Sequence, residues 1–263
     1  MTLELGLEGR RAIVTGASRG IGAATASALA AQGVRVGLIG RDRAALQAAA
    51  ATAGGDAVFA AGDLATAEGV RSSIGACLEG LGGVDILVNN AGSSPGGTID
   101  DITDEQWQES FDLKVMGYVR CIRAVLPAMR AQRYGRIVNV GGTAGVRASP
   151  GYVLAMLNAG LVHLTRSTAE HVGPDGITVE SIHPGPVMTE RLRGMLAGPA
   201  EAAGVSVDEF AATRVASQLP LGRLGTPEEI ARMIVILVSD AAGWVTGSGL
   251  LIDGGAARGI LGG

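Results

Sequence analysis

What this 263-residue chain has little of narrows its role first. Its 21 basic residues are 20 arginines and a single lysine, Lys114, set against 25 acids for a formal charge of −4. That balance leaves no basic footprint for a nucleic acid, and none is expected as a partner. Charged residues make up 17% and aromatics 3%, against 47% hydrophobic, the balance of a soluble protein with much buried surface. The two cysteines, Cys77 and Cys121, match no metal or redox spacing and are expected to act as small hydrophobes within helices. His163, His171 and His183 have no ligand partner at useful spacing, so packing or surface roles are expected and a metal site is not. No apolar run reaches membrane-spanning length, and Met1 to Arg10 lacks a basic segment followed by an apolar one. The expected compartment is therefore the cytoplasm, with no membrane partner. Repeats and linkers are missing as well, and the length suits one large α/β domain over 1–263.

Glycine, by contrast, is abundant at 42 residues, and its placement is informative. Thr15-Gly16-Ala17-Ser18-Arg19-Gly20-Ile21-Gly22 follows the apolar run Ala12, Ile13, Val14 and leads into an alanine-rich segment. This reads as strand, tight turn and helix. Glycines at 16, 20 and 22 permit positive φ and close backbone approach, and the free N–H groups of a helix start face an anion, which makes the stretch a dinucleotide site.

Strand-like and helix-like segments then alternate. Strands are expected at Val34–Ile39, Val58–Ala61, Asp85–Val88, Arg136–Val140, Ile177–Ile182 and Leu250–Ile252. Helices are expected at Ala23–Gln32, after Arg43, from about Asp104 to Ala131, from about Val153 to His171, and at Pro227–Ser239 with two glutamates in its first turn. Asp100, Asp101 and Asp104 read as caps and first-turn charges of the long helix. The pattern predicts an α/β fold: a doubly wound, Rossmann-like, mostly parallel seven-stranded sheet with helices on both faces. Residues 188–219, with Gly198-Pro199 in the middle, are irregular and read as a mobile substrate lid.

Several separated motifs make the chain resemble a short-chain dehydrogenase/reductase over essentially its whole length. They are the glycine turn, Asp63-Leu64, Asn89-Asn90-Ala91-Gly92, the Gly135–Val140 strand, Pro184-Gly185-Pro186-Val187-Met188-Thr189, and the Gly222–Ile230 to Asp253-Gly254-Gly255 tail. By that resemblance Asp63 contacts the adenine, Asn90 to Gly92 line the ribose, and Pro184 to Thr189 hold the nicotinamide end. The resemblance also implies a homo-oligomer, a tetramer or a dimer, acting on a small-molecule substrate. The second strand ends at Gly40-Arg41 with no carboxylate at its tip, and Arg19 sits inside the glycine turn. Two arginines and no acid favour NADP over NAD, because a planar guanidinium can bond two phosphate oxygens at once.

The chemistry departs from the family. Its members carry a Tyr-x-x-x-Lys pair on the fifth helix, a Ser after the fifth strand and an Asn on the fourth helix. Anchored on Asn158-Ala159-Gly160-Leu161, the resemblance puts Asn158 at the Lys position, Leu154 at the Tyr position and Gly142 at the Ser position. Trp107 to Gly117 resembles the fourth-helix motif, with Lys114 on its Asn. The relay Asn and the helix Lys have changed places. Tyr152 is the only nearby phenol and reads as a residue at the helix entrance, since using it in place of Leu154 would turn a helix by about 200°. Lys is a compact ammonium whose pKa falls on burial, so Lys114 can become an acid, which Arg cannot. It can equally tie two helices together by bonding Asn158. Two functions follow: an NADP(H)-dependent oxidoreductase with a rewired proton donor, or a nucleotide-binding protein without redox turnover.

Overall fold

The computed structural model describes residues 4–54, 56–145, 148 and 151–257. Seven strands form one parallel sheet: β1 (Arg11–Thr15), β2 (Arg35–Gly40), β3 (Val58–Ala61), β4 (Ile86–Asn89), β5 (Gly135–Val140), β6 (Ile177–Pro184) and β7 (Gly249–Ile252). Their order across the sheet is β3-β2-β1-β4-β5-β6-β7, with every neighbouring pair parallel. The order reverses between β1 and β4, where Val14 lies beside both Leu38 and Val88. A crevice opens at such a reversal because the connections leave to opposite faces.

Successive side chains of a strand point to opposite faces, so two apolar layers form. Ala12 and Val14 of β1 face one, with Ala26 and Leu29 of α1 (Gly20–Ala30), Leu46 of α2 (Arg43–Ala53) and Ile230 and Ile234 of the late helix Pro227–Leu237. Ile13 faces the other, with Ile74 and Cys77 of α3 (Ala67–Leu81); α4 (Asp104–Phe111) packs through Trp107 on a smaller cluster of Ile102, Leu154 and Leu157, while Cys121 and Val125 of α5 (Gly117–Gln132) and Ala169 of α6 (Met156–Val172) join the Ile13 layer. Cys77 and Cys121 are buried there, and burial pushes both thiols up to about 12. They are the inert small hydrophobes that the spacing suggested.

Three stretches differ from the sequence reading. Helix α3, between β3 and β4, was not anticipated, because three internal glycines weaken its signal. The long helix from Asp104 is broken into α4 and α5 by a π turn at Asp112–Met116. Segment 188–219 is largely helical, with α7 (Glu190–Ala202), α8 (Val207–Phe210) and a second π turn. Thr189 caps α7 by accepting from Leu192 N–H, and Pro199 sits inside it. The last helix, α9 (Pro227–Leu237), starts with a Thr226–Glu229 capping box and Pro227 in its first turn. Among the described residues no helix is long and apolar enough to cross a membrane.

One polar tie holds the amino ends of the central strands. Asp85 accepts from Arg11 N–H (2.8 Å), Nε (2.8 Å) and Nη2 (2.9 Å), and from Gln132 Nε2 (3.1 Å). Burial alone would raise the carboxyl, but the Arg11 bonds and charge outweigh it and hold the group below its ordinary value. The stabilisation is therefore present above the unfolded carboxyl pKa and lost as pH falls through the lowered one. Asp85→Asn is expected to cost about 2 kcal/mol at neutral pH, and the gap to the parent should narrow in acid. Denaturant midpoints at pH 7 and pH 3 check this; an equal gap at both would contradict it.

Candidate active site

The carboxyl ends of β1, β4, β5 and β6 open into a cleft of about 600 Å³. Its floor is two loops packed against each other. Gly16 has φ +62°, and a Cβ there would lie 2.9 Å from Ala91 Cα. Thr15 Oγ1 donates to Val88 O (3.3 Å) and accepts from the N–H groups of Asn90 (2.9 Å) and Ala91 (3.1 Å). Asn90 Nδ2 donates back to the carbonyls of Thr15 (3.1 Å) and Gly16 (3.2 Å). The backbone at the start of α1 is thereby fixed. Its N-cap residue, Arg19, makes no side-chain cap bond, so the first N–H groups of the helix remain available to an anion.

Ser18, Arg19, Gly20 and Ile21 line this end of the cleft, as does Arg41 at the tip of β2. Arg19 Nη1 lies 3.4 Å from Glu190 Oε2 across the opening. Gly20, with φ +57°, faces Thr189 at a distance that a Cβ would cut to 3.5 Å. Two predicted residues do not line the cleft. Gly22 works from beneath, where a Cβ would meet Gly16 O at 2.2 Å. Asp63 is turned into its own bend, accepting from Ala65 N–H (3.0 Å), while its neighbours Gly62 and Leu64 reach the wall.

The other end is built by the π turn, the approach to α6 and the start of α7. Asn90, Ala91, Gly92, Pro184, Gly185 and Thr189 form the walls between the two ends, and Lys114, Tyr152 and Asn158 converge at the far end. The Lys114 side chain passes Gly92 so closely that a Cβ there would lie 3.4 Å from Nζ. Burial, and then the nearby Arg191 charge, hold its ammonium down to about 8. Asn158 is 6% exposed and its Oδ1 finds no donor among the described residues. Glycine at 142 leaves room for that amide, since a Cβ would sit 3.2 Å from Asn158 Nδ2. Leu154 instead packs away from the cleft with Ile102 and Leu157.

Tyr152 stands at the entrance to α6, as expected, yet it lines the cleft and its hydroxyl accepts from Arg191 Nη2 (3.2 Å). Arg191 is the residue that sequence reasoning missed. It also donates to the carbonyls of Gly92 (3.1 Å) and Ser94 (2.9 Å), joining α7 to the loop after β4. The signal was its place two residues beyond Thr189, hidden by the misread 188–219 stretch. His183 is buried behind Gly141 and Gly142; Gly142 N–H points at Nδ1 (3.4 Å), which leaves the proton on Nε2 toward Ser181 Oγ (3.1 Å). Burial, with the Lys114 charge adding to it, lowers its pKa. Asp101 caps the turn at Thr98, and Thr103 caps α4.

The sequence family described as enoyl-(acyl carrier protein) reductase matches residues 16–257. The chain belongs to the short-chain dehydrogenase/reductase family. Within the family it is 38% identical over 248 residues to the short-chain reductase protein NovJ of Streptomyces niveus, covering 93% of this chain and 92% of that protein. It is 35% identical over 255 residues to the 3-oxoacyl-[acyl-carrier-protein] reductase FabG of Escherichia coli, covering 95% and 98%. Among solved structures, L-sorbose reductase of Gluconobacter frateurii, complexed with NADPH and L-sorbose, superposes with a TM-score of 0.94 at 31% identity, over 98% of this chain and 100% of that one.

The site's tight loop packing gives a paired test. Gly22→Ala must displace both the Gly16 carbonyl and the Asn90 amide and is expected to cost about 2 kcal/mol. Gly75→Ala, exposed in the middle of α3 with nothing within 4 Å of its Cβ, should stabilise by up to about 1 kcal/mol. Thermal midpoints that move the same way in both variants would contradict this account of the loop.

Proposed function

We propose that this short-chain dehydrogenase/reductase is an NADP(H)-dependent oxidoreductase that reduces a small carbonyl, imine or activated double bond, with Lys114 as proton donor in place of the usual family residues. The reading is carried by the only lysine of the chain, half-buried in the cleft with no hydrogen bond or ion pair among the described residues and a pKa near 8. A structural tie would show a partner, and the alternative expected from sequence, a bond to Asn158, is not formed.

The glycine turn fits a pyrophosphate: two glycines at positive φ keep side chains out, and the uncapped helix start offers N–H groups. Arg19 and Arg41 would hold the 2′-phosphate of NADP, as their guanidinium forks suit it. Support comes from the L-sorbose reductase, which is complexed with NADPH. Gly62 and Leu64, with Asp63 in the same bend, would flank the adenine. Asn90, Ala91 and Gly92 would lie along the ribose, and Pro184, Gly185 and Thr189 at the nicotinamide end. NADPH, when bound, supplies the hydride.

The protein's part is the proton. An ammonium with a pKa near 8 is mostly protonated at neutral pH, yet close enough to release its proton to an oxyanion. The unpaired Asn158 Oδ1 would accept from the hydroxyl being formed. Tyr152 would position the substrate with its hydroxyl. A second reading, cofactor binding without redox turnover, is favoured by one observation: Leu154, at the family's Tyr position, turns into an apolar cluster.

Two measurements separate these readings. Arg41→Ala should weaken NADPH binding about 10-fold and leave NADH unchanged; equal affinity of the parent for both would contradict the assignment. Lys114→Met should lower turnover by about 10²-fold or more with little change in NADPH affinity, and Lys114→Arg should not restore it. The acid must be protonated to act, so reduction should be constant below about pH 8 and fall as pH rises through the Lys114 pKa. Turnover and pH profile unchanged by Lys114→Met would remove Lys114 from the chemistry. A parent protein that binds NADPH but oxidises none against carbonyls, imines and enones would favour the second reading.

A further inference from the structure

The substrate end of the cleft has a charge that the reaction alone does not require. Lys114 and Arg191 meet at Gly92: a Cβ placed there would lie 3.4 Å from the Lys114 Nζ, and Arg191 Nη1 donates to its carbonyl at 3.1 Å. Neither cation has an acid partner among the described residues. The carbonyls that Arg191 touches orient its plane without cancelling its charge. The one acid lining the cleft is Glu190, and its carboxylate is paired with Arg19 at the opening. Two like charges disfavour each other, the half-buried Lys114 more than the exposed Arg191, and an anion between them would offset that repulsion.

The polar neighbours suit an anion too. Arg191 donates to the Tyr152 oxygen (3.2 Å), which leaves the Tyr152 proton free to donate in turn. Lys114, Arg191 and the Tyr152 hydroxyl thus offer donors at this end of the cleft, and the buried Asn158 Oδ1 is an acceptor that lacks a donor among the described residues. An uncharged ketone would use one donor and leave the second cation unmatched. A compound with a carboxylate beside its reacting carbonyl would use both, and its new hydroxyl would give Asn158 Oδ1 a proton to accept.

Resting on the reductase reading of this cleft, we infer that the substrate is an oxo acid whose carboxylate lies against Arg191 and the Tyr152 hydroxyl, with its carbonyl oxygen toward Lys114. Arg191 is then the residue that determines specificity: its bonds to the Gly92 and Ser94 carbonyls hold its charge at this end of the cleft and leave Nε–H and one Nη1 N–H free to donate.

The test is calorimetric titration of the NADP⁺-loaded protein with 2-oxobutyrate, acetoacetate and levulinate, each beside its methyl ester, together with NADPH oxidation by the same six compounds. At least one acid should bind 10-fold or more tightly than its ester, with that advantage reduced by added salt. Arg191→Gln should abolish the advantage. Arg191→Lys, which keeps the charge but cannot span the same carbonyls, should retain most of it. No acid preferred to its ester, a preference that survives Arg191→Gln, or equal loss in the Gln and Lys variants would overturn the inference, the last by making Arg191 only a tie between α7 and the 92–94 loop. Preferential binding of an acid without NADPH oxidation would leave the anion site standing and remove the reductase reading. Oxidation of NADPH by esters as readily as by acids would do the reverse.

Discussion

The structure depends on how closely two backbones approach at the centre of the sheet. The turn after β1 and the turn after β4 touch where Gly16 meets Ala91, and the α1 helix touches the same turn where Gly22 meets the Gly16 carbonyl. No side chain fits at either contact, and the polar groups brought together there must be satisfied locally. Thr15 and Asn90 do this with hydrogen bonds between 2.9 and 3.3 Å. The loops are thereby fixed in the conformation that leaves the helix start open, at the point where the strand order reverses. A ligand cleft follows from topology plus close packing, before any catalytic group is considered.

Electrostatics then divides the cleft. At the glycine turn, Arg19 and Arg41 are exposed and well hydrated, suited to an anion that arrives from solvent. At the far end the single lysine is half-buried on the π turn between α4 and α5. Such turns insert one extra residue into a helix and re-aim side chains, and they recur at functional sites. Here Arg120 braces the turn, donating to the carbonyls of Ala65 (2.7 Å) and Asp112 (3.3 Å). The position of Lys114 is thus held by the fold, and its lowered pKa follows from burial and from Arg191.

Much of this could be read from the chain alone, and the failures have identifiable causes. The strands are continuous apolar runs because both sheet faces are covered, so all seven were legible, as was the glycine turn; the bonds of Asn90 to that turn were not, since the motif pointed only to the ribose. Helix α3 was hidden because two of its three glycines answer to packing: a Cβ at Gly69 would strike Asp63 O at 2.1 Å, and one at Gly80 would lie 3.1 Å from Val58. Helix α7 was hidden by Gly198-Pro199, although Thr189 supplies its cap. The Lys114 position was legible because the residue type is unique in the chain. Arg191 was not, since one arginine among 20 stands out only by its place two residues beyond Thr189, and that stretch read as irregular until the fold brought it to Gly92, Ser94 and Tyr152.

The proposed proton donor requires an ammonium with a lowered pKa, and the chain's composition allows this to be measured directly. Labelling with lysine carrying ¹³C at Cε places a single signal in the protein, that of Lys114. Its chemical shift followed from pH 6 to pH 12 should report a midpoint of about 8, rising when Arg191→Gln removes the neighbouring charge. A midpoint at the ordinary lysine value of about 10.4, unmoved by Arg191→Gln, would contradict the account.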